Sequence, residues 1–235
     1  MTDAPGRLCR LLCWLVVLFT GAVLLLQVWF LSGLLWVRFH PPEQTAFMSR
    51  ELSRLQAIHP GATLQYTWVD YDRISPYLRQ AALAAEDGRF MEHHGIDWDG
   101  IRVAFERNRE AGSTVAGGST ISQQLARNLF LSPRRSYLRK GQEVIITLAQ
   151  EVILDKRRIL ELYLNVVEFG EGIFGAEAAA RHFFGKSAAE LSPLEAADLA
   201  ARLPRPRYYH EQGYTEWLLE YRAIIHARMH QVAPP

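Results

Sequence analysis

The pattern of apolar and polar positions sets apart the first forty residues, because the run from Leu11 to Val37 is apolar and contains no charged residue. About 20 apolar residues in a helix cross the ~30 Å hydrocarbon core of a bilayer, so this run can span it with some tilt. A cleaved signal peptide is the alternative, but the run is too long for one and no A-x-A-type cleavage site follows it. We therefore predict a cytoplasmic N-terminus over 1–10 and a retained transmembrane anchor over 11–37.

The charges that flank this run determine its orientation only weakly. Two arginines precede it, whereas Arg38 and His40 follow it, so the positive-inside rule favours a cytoplasmic N-terminus by a small margin. The only two cysteines, Cys9 and Cys13, lie at that end, and we interpret them as small apolar residues of the anchor. The rest of the chain needs no disulfide, which suits an oxidising compartment.

Beyond the anchor, apolar positions recur mostly at helical spacing, and alternating strand patterns are scarce. We predict a linker and entry segment over 38–73, with a short helix and an extended stretch around Leu64–Val69. Residues 74–235 are then expected to form one mostly helical domain. The net charge of +1 excludes the basic footprint of nucleic-acid binding.

Capping residues mark three helix starts in this domain. Ser75, followed by a proline, predicts a helix that runs into Glu86, and Ser119 after two glycines predicts a second. Ser192, with a glutamate three positions later, forms a capping box. The long apolar-rich stretch "RKGQEVIITLAQEVILDKRRILELYLN" predicts one helix that bends near Asp155.

The stretch "EDGRFMEHHGIDWDG", which begins at Glu86, concentrates five carboxylates and two adjacent histidines. His93 and His94 would point apart, the H-E-x-x-H spacing is absent, and "DWDG" lacks the rest of a calcium loop. We therefore expect no metal site built from protein ligands. A serine nucleophile is also disfavoured, because neither G-x-S-x-G nor S-x-x-K occurs in the chain.

Acid/base chemistry by a carboxylate is the third interpretation of this stretch, and Glu86 is the candidate. It ends an alanine-rich helix, and a carboxylate held against apolar walls has a raised pKa and can take a proton. Asp87 would point elsewhere and hold the following turn. The alternative is that both acids simply end a helix at the surface.

Two further segments favour phosphate chemistry. In "GGSTISQQLARN" the glycines let the backbone approach a ligand, and free amides at the helix start favour an anion. Gln123 and Arg127 share one face of that helix. In "RKGQE", Arg139 and Lys140 lie on one helix face with Glu143, and such cations keep a glutamate ionised. The alternative is an ordinary helix cap followed by a solvated basic run.

The segment between these two, "NLFLSPRRSYL", has the composition of a membrane surface, because apolar side chains alternate with arginines. The alternative is a small core patch in a second lobe. A phosphate cradle, two glutamates and a membrane anchor together indicate sugar–phosphate chemistry on a lipid carrier.

Five segments also resemble, in order, the motifs of the peptidoglycan glycosyltransferases, specifically the monofunctional biosynthetic transglycosylases. They are "EDGRFMEHHG" for E-D-x-x-F-x-x-H-x-G, "GGSTISQQ" for G-x-S-T-x-x-Q-Q, "RKGQE" for R-K-x-x-E, "RRILELYLN" for I-L-x-x-Y-L-N and "AAARHFFGK" for A-A-x-x-Y/F-F-G-K. The resemblance covers about Ile74 to Pro206, and ordered matches of this length are specific. The same module forms the N-terminal half of bifunctional penicillin-binding proteins.

The resemblance implies a lysozyme-like helical fold with a small membrane-apposed lobe, and an enzyme that polymerises lipid II, a disaccharide-pentapeptide on undecaprenyl diphosphate. It implies that Glu86 is the general base that deprotonates the 4-hydroxyl of the incoming N-acetylglucosamine, which gives a β-1,4 bond with inversion. Glu143 matches a second glutamate, which orients cations or a divalent ion, magnesium or manganese, at the diphosphate; no cofactor is built in. The residues on segments that line the donor diphosphate are Ser119, Thr120, Gln123, Gln124, Arg127, Arg135, Arg139 and Lys140.

The resemblance also implies a single-pass protein of the bacterial inner membrane with its catalytic domain in the periplasm. Its partners would be lipid II, the growing glycan chain, the membrane and, as an option, proteins of cell-wall synthesis or division. Arg127 stands where the family more often has lysine. We assign the motif's histidine to His94 as a structural hydrogen-bonding residue, and expect Lys156, Tyr163 and Asn165 to hold the fold.

Two rival functions remain at this point. A membrane-anchored lysozyme or lytic transglycosylase, which cleaves peptidoglycan, also uses an acid in a helical fold, but it gains nothing from a diphosphate cradle. A non-catalytic scaffold that binds division proteins would need neither Glu86 nor Glu143.

Overall fold

The computed structural model describes residues 4–113, 117–132, 134 and 136–235, with side chains from Arg10 onward. By its internal contacts the chain divides into two compact units after His40. The second unit starts at Pro41, so it contains most of the stretch that we expected to be a linker. The prediction for Arg135 lies outside the described residues.

The first unit is one helix, α1, from Ala4 to Phe39. Its segment Arg10–Phe39 has a mean hydropathy of 2.5 over the most apolar window, which makes it long and apolar enough to cross a membrane. Apolar side chains such as Trp14 and Phe19 are more than half exposed along it. The helix is therefore consistent with a membrane anchor.

Among the described residues of the second unit, ten α-helices make up most of the chain, and the prediction of a mostly α-helical protein is confirmed. They are α2 (Ala46–Ile58), α3 (Pro76–Glu86), α4 (Trp98–Ala111), α5 (Ile121–Phe130), α6 (Tyr137–Ile153), α7 (Lys156–Val166), α8 (Ala176–Phe184), α9 (Pro193–Arg202), α10 (Pro206–Gln212) and α11 (Glu216–Arg228).

A small three-stranded sheet accompanies these helices, in the order β1 (Gln65–Tyr66), β3 (Ile173–Phe174), β2 (Glu168–Gly170). β1 pairs with β3 in parallel, and β2 pairs with β3 antiparallel with an irregular register. β1 falls in the predicted extended stretch. β2 and β3 were not predicted, because two or three residues are too few to show an alternating pattern.

The capping residues position most helix starts as predicted. The Ser75 side chain accepts a hydrogen bond from the backbone N–H of Tyr77, with proline at the first helical turn. Ser192 forms the expected capping box at the start of α9. The helix that we predicted as bent near Asp155 is two helices, because Leu154 is extended and Asp155 caps the start of α7.

Two helix starts differ from the sequence interpretation. Thr120, and not Ser119, caps α5, because its hydroxyl accepts from the backbone N–H of Gln123 while the Gln123 side chain accepts from that of Thr120. The stretch "DWDG" begins α4, which was not predicted: the Asp97 carboxylate accepts from the N–H of Gly100 at 2.9 Å.

The core that holds the site is built from α5, which packs on α6 and α7, and from α9, which packs on α3 and α11. Leu125, Tyr163 and Leu199 are fully buried there. Asn165 donates to the carbonyl of Val69 and accepts from its N–H, both at 2.9 Å, so it ties α7 to the segment before α3. This contact fits the expected fold-holding role of Asn165.

Candidate active site

Glu86 lies at the end of α3, as predicted, and is half-buried. One carboxylate oxygen accepts a hydrogen bond of 2.6 Å from the amide nitrogen of Gln124 on α5. Burial raises the pKa of Glu86 above the ordinary value for glutamate, whereas the Gln124 hydrogen bond and the charge of Arg127 lower it and the nearby Asp87 raises it. The net result is a carboxyl group prepared to accept a proton.

Asp87 connects the end of α3 to the start of α5. One of its oxygens accepts from the backbone N–H of Ile121 at 2.9 Å, and the other lies 2.9 Å from Nε2 of His93. We expected free amides at this helix start to attract an anion. The structure shows an anion at one of these amides, the Asp87 carboxylate of the protein itself at the N–H of Ile121, and a ligand anion at this helix start stays a prediction.

The histidine that serves this contact is His93. It is buried, and its Nδ1 accepts a hydrogen bond of 3.2 Å from the N–H of Gly95, so Nε2 carries the proton that is donated to Asp87. His94 is exposed. Our assignment of the motif's histidine to His94 is therefore wrong, and counting from Glu86 along the motif also leads to His93. Lys156 adds support through a 2.7 Å hydrogen bond to the His93 carbonyl.

Gln124 is oriented by a second partner, Tyr163, which we expected only to hold the fold. The hydroxyl of Tyr163 on α7 donates to the side-chain oxygen of Gln124 at 3.3 Å. Burial raises the pKa of Tyr163 well above its usual range, and the charge of Glu86 adds to this, so the hydroxyl keeps its proton. Because the Gln124 oxygen is engaged, its amide nitrogen faces Glu86.

The capping box of α5 fixes the end of the glycine-rich segment that lines a cleft with Glu86. Thr120 and Gln123 are buried, and the Thr120 hydroxyl also donates to the carbonyl of Gly95 at 2.6 Å. The structure thus gives both predicted substrate-binding residues a positioning role within the protein. Ser119, in contrast, is half-buried and lines two clefts beside Glu86.

Glu143 is buried on α6 and forms ion pairs with the two cations predicted to share its helix face. Arg139 lies 2.6 Å from one carboxylate oxygen, and Lys140 contacts the other. Nε of Arg139 is buried and has no hydrogen-bond partner among the described residues. The Arg139 side chain also lines an open cleft, where a guanidinium group is a favourable contact for an anionic ligand. Arg134, from the same basic segment, is exposed.

Three clefts lie around Glu86 and Gln124, and one of them, which contains both residues, shares Gln124 with the second and Glu86 with the third. The cationic cleft, of about 400 Å³, contains Gln124, Arg127 and Arg139. The aromatic cleft, of about 510 Å³, contains Glu86 and Gln124 together with Trp217 and Tyr221 of α11. The third, of about 210 Å³, is bordered by Glu86 and the glycine-rich segment before α5. The predicted base therefore lies between aromatic side chains and cations.

The residues present do not fit a protein-held metal ion. Within the described parts of the chain, no group of three or more histidine, cysteine, aspartate or glutamate side chains is arranged to bind one. Glu143, the candidate ligand of a divalent ion, gives both oxygens to Arg139 and Lys140.

A buried charge cluster on the wall of the cationic cleft was missed in the sequence. Glu168 on β2 accepts hydrogen bonds of 3.0 and 3.1 Å from Nε of Arg207, and Arg207 also lies 2.7 Å from Glu51 on α2. Burial raises the pKa of Glu168 to about 7, although the hydrogen bond from Arg207 lowers it. Residues so far apart in sequence leave no periodic signal by which to group them.

Comparison with known proteins identifies the family to which this arrangement belongs. A family model described as transglycosylase matches residues 52–230, more than half of the chain and all of the candidate site. The chain belongs to the transglycosylase family. The family and the enzyme class that we predicted are thereby confirmed.

Several relatives of this transglycosylase are similar over nearly their whole length. A protein of Janthinobacterium sp. (strain Marseille) is 52% identical over 96% of this chain and 98% of its own length. Those of Azoarcus sp. (strain BH72) and Chromobacterium violaceum are 54% and 49% identical, over 88% and 96% of this chain and 89% and 99% of their own lengths. All three are named biosynthetic peptidoglycan transglycosylase.

Proposed function

We propose that this transglycosylase is a peptidoglycan glycosyltransferase that polymerises lipid II into β-1,4 glycan and releases undecaprenyl diphosphate. The observation that carries the proposal is the position of Glu86, a base with a raised pKa, beside a cleft lined by Arg127 and Arg139. The names of the relatives support the biosynthetic direction.

Glu86 acts as the general base in this proposal. Its carboxylate takes the proton from the 4-hydroxyl of the incoming N-acetylglucosamine, and the resulting oxygen attacks the anomeric carbon of the growing chain. The bond to the α-linked diphosphate breaks as the new bond forms, so the configuration inverts to β. Gln124 and Tyr163 hold Glu86 towards the acceptor.

The cationic cleft stabilises the leaving diphosphate. Arg127 and Arg139 line it, and Glu143 holds Arg139 and Lys140 in place. Because the diphosphate leaves as a stabilised anion, strong acid catalysis is not required. A divalent cation, which we expected as an option at the diphosphate, would take its ligands from the diphosphate and water, and no step in the proposal depends on it.

We place the catalytic unit on the periplasmic face of the inner membrane, held there by α1. The described residues of the stretch "NLFLSPRRSYL" differ in exposure: Leu129 and Leu131 are buried, as a core patch requires, whereas Tyr137 is 98% exposed at the start of α6. The exposed apolar side chains continue at helical spacing along α6, at Leu138, Ile145, Leu148 and Val152. This stripe supports contact between α6 and the bilayer, so that lipid-linked substrates enter laterally.

The product of the reaction distinguishes synthesis from the rival function, peptidoglycan cleavage. Full-length protein in detergent, given labelled lipid II, should consume it, release undecaprenyl diphosphate and make glycan that lysozyme digests. It should neither shorten preformed peptidoglycan nor create anhydro-sugar ends. Shortened glycan without consumption of lipid II would overturn the proposal and favour a lytic enzyme.

A further inference from the structure

The aromatic cleft has a wall of stacked rings that none of the roles above uses. Trp217 lies parallel to the buried Tyr209, with ring centroids 5.6 Å apart and planes at 4°. On α11 it also contacts Tyr221, at 4.8 Å and 37°. Two neighbouring rings thus fix the orientation of the indole, while 46% of Trp217 stays exposed.

This wall is held at a fixed position relative to the base. The hydroxyl of Tyr221 donates to the backbone carbonyl of Ala85 at 2.9 Å, one residue before Glu86. α11 also packs on α3 and α9. The aromatic rings and the carboxylate therefore belong to one rigid group of helices, as a pre-organised ligand site requires.

The composition of the aromatic cleft suits an uncharged, hydroxyl-rich ring. One face of a pyranose presents C–H groups that pack on an aromatic surface, and its equatorial hydroxyls point to the rim. Trp217 and Pro204 supply the apolar surface, whereas Ser119 and Gln124 supply hydrogen-bonding groups at the rim. Glu86 belongs to the same lining, so its carboxylate faces the cleft in which a ring hydroxyl would lie.

The distribution of charge separates this cleft from its neighbour. The cationic cleft contains Arg127 and Arg139, whereas the aromatic cleft contains neither and has Arg107 as the cation of its lining. The two clefts share Gln124 and Pro204, so they are continuous. An amphiphilic substrate can place its diphosphate in one and a sugar in the other.

We propose that the aromatic cleft is a carbohydrate subsite, in which Trp217 stacks on the N-acetylated hexopyranose that carries the attacking hydroxyl and holds it beside Glu86. The proposal rests on the proposed function and adds to it a binding surface for the acceptor sugar. It requires affinity for the sugar that does not depend on a diphosphate.

The test uses a soluble disaccharide of N-acetylglucosamine and N-acetylmuramic acid without diphosphate, titrated calorimetrically into full-length protein in detergent. We expect Trp217→Ala to weaken its binding by about tenfold, and Trp217→Phe, which keeps an aromatic face, by clearly less. Trp98→Ala is the matched control, because Trp98 is 72% exposed on α4 and outside the cleft linings.

Inorganic diphosphate, titrated into the same variants, separates a local effect from loss of the fold. Its affinity should be unchanged in Trp217→Ala and Trp217→Phe. Three results would overturn the subsite. The wild type could fail to bind the disaccharide, or Trp217→Ala could bind it as tightly as the wild type does. In the third, both Trp217 variants lose disaccharide binding and diphosphate binding together.

The two proposals fail separately. Wild-type protein that makes no polymer from lipid II contradicts the proposed function, whatever the disaccharide does. If the protein polymerises lipid II but the Trp217 variants bind the disaccharide as tightly as the wild type, only the carbohydrate subsite is contradicted.

Discussion

Replacing Glu86 by glutamine keeps the size of the side chain and removes its ability to accept a proton. Loss of a general base costs roughly 10²–10⁴-fold in rate, so we expect polymerisation of lipid II by Glu86→Gln to fall by that range with the fold intact. Glu92→Gln, in the same segment but exposed and paired with Arg89, is the control and should stay near wild-type activity. A Glu86→Gln enzyme with near-normal turnover would exclude Glu86 as the base.

The same residue determines the pH dependence of the reaction. Burial raises the pKa of Glu86, so its protonated, inactive form persists to a higher pH than for an ordinary glutamate. The rate should therefore rise with pH, and the rise should occur at a higher pH than that at which an ordinary glutamate loses its proton. The residual activity of Glu86→Gln should not show this rise.

Tyr163→Phe tests whether the tyrosine positions the base through Gln124. The variant removes one hydrogen bond, worth about 1 kcal/mol, so turnover should fall about fivefold. The variant should also shift the pH at which the rate rises to a higher value. The hydrogen bond from Gln124 lowers the pKa of Glu86, and a less firmly held Gln124 makes a weaker bond, so the pKa of Glu86 rises. Tyr66→Phe is the control, because it loses a 2.7 Å hydrogen bond to the carbonyl of Pro42 and Tyr66 lies outside the three cleft linings. If the rate of Tyr163→Phe rises at the same pH as that of the wild type, Tyr163 has a packing role only.

The sequence could predict the site residues that helix geometry makes neighbours. Arg139, Lys140 and Glu143 are three or four positions apart, so their ion pairs follow from the helical repeat. Tyr163 and Trp217 reach the site from α7 and α11, and only the crossing of helices brings them to Glu86. No local pattern records such a crossing.

Among the elements, the start of α6 carries the cations, and its role can be separated from that of the exposed Arg134 before it. Arg139→Ala removes a half-buried cation from the cleft wall and should weaken inorganic diphosphate binding and turnover by roughly tenfold, as expected for a charge-assisted hydrogen bond. Arg134→Ala removes an exposed charge and should change both much less. Equal losses in the two variants, or an Arg139→Ala protein that unfolds as readily as it loses activity, would contradict a specific contact.

Helix boundaries were predictable where a capping residue is unambiguous, as at Ser75 and Ser192. At α5, two polar residues follow the glycines, and the choice of Thr120 over Ser119 depends on the bond from Thr120 to Gly95, which lies 25 residues earlier. The break at Asp155 left too weak a signal against the apolar repeat on both sides of it.

For the second unit as a whole, the charge cluster at Glu168 joins α2, β2 and α10 and makes stability depend on pH. The pKa of Glu168 is raised to about 7 in the folded protein, so folding favours its protonated form. This contribution, on the order of 3 kcal/mol, is present below pH ~4.5 and is lost as the pH rises through about 7.

Thermal unfolding in detergent at several pH values between 5 and 8 measures this effect. The melting temperature of Glu168→Gln relative to the wild type should increase with pH across that range, because glutamine cannot ionise. A constant difference between the two proteins would show that Glu168 ionises without cost.

The ion pairs of Glu143 have a consequence for the empty enzyme. With both oxygens of Glu143 bound to Arg139 and Lys140, the wall of the cleft carries its own counter-charge before any substrate arrives. Stray phosphates in the surroundings then meet a partly neutralised surface and bind weakly. In the reaction that we propose, the departing diphosphate would compete with a carboxylate that is permanently attached to the protein. Glu143 would thereby favour release of the product and keep the enzyme from being trapped by the anion that it has just made.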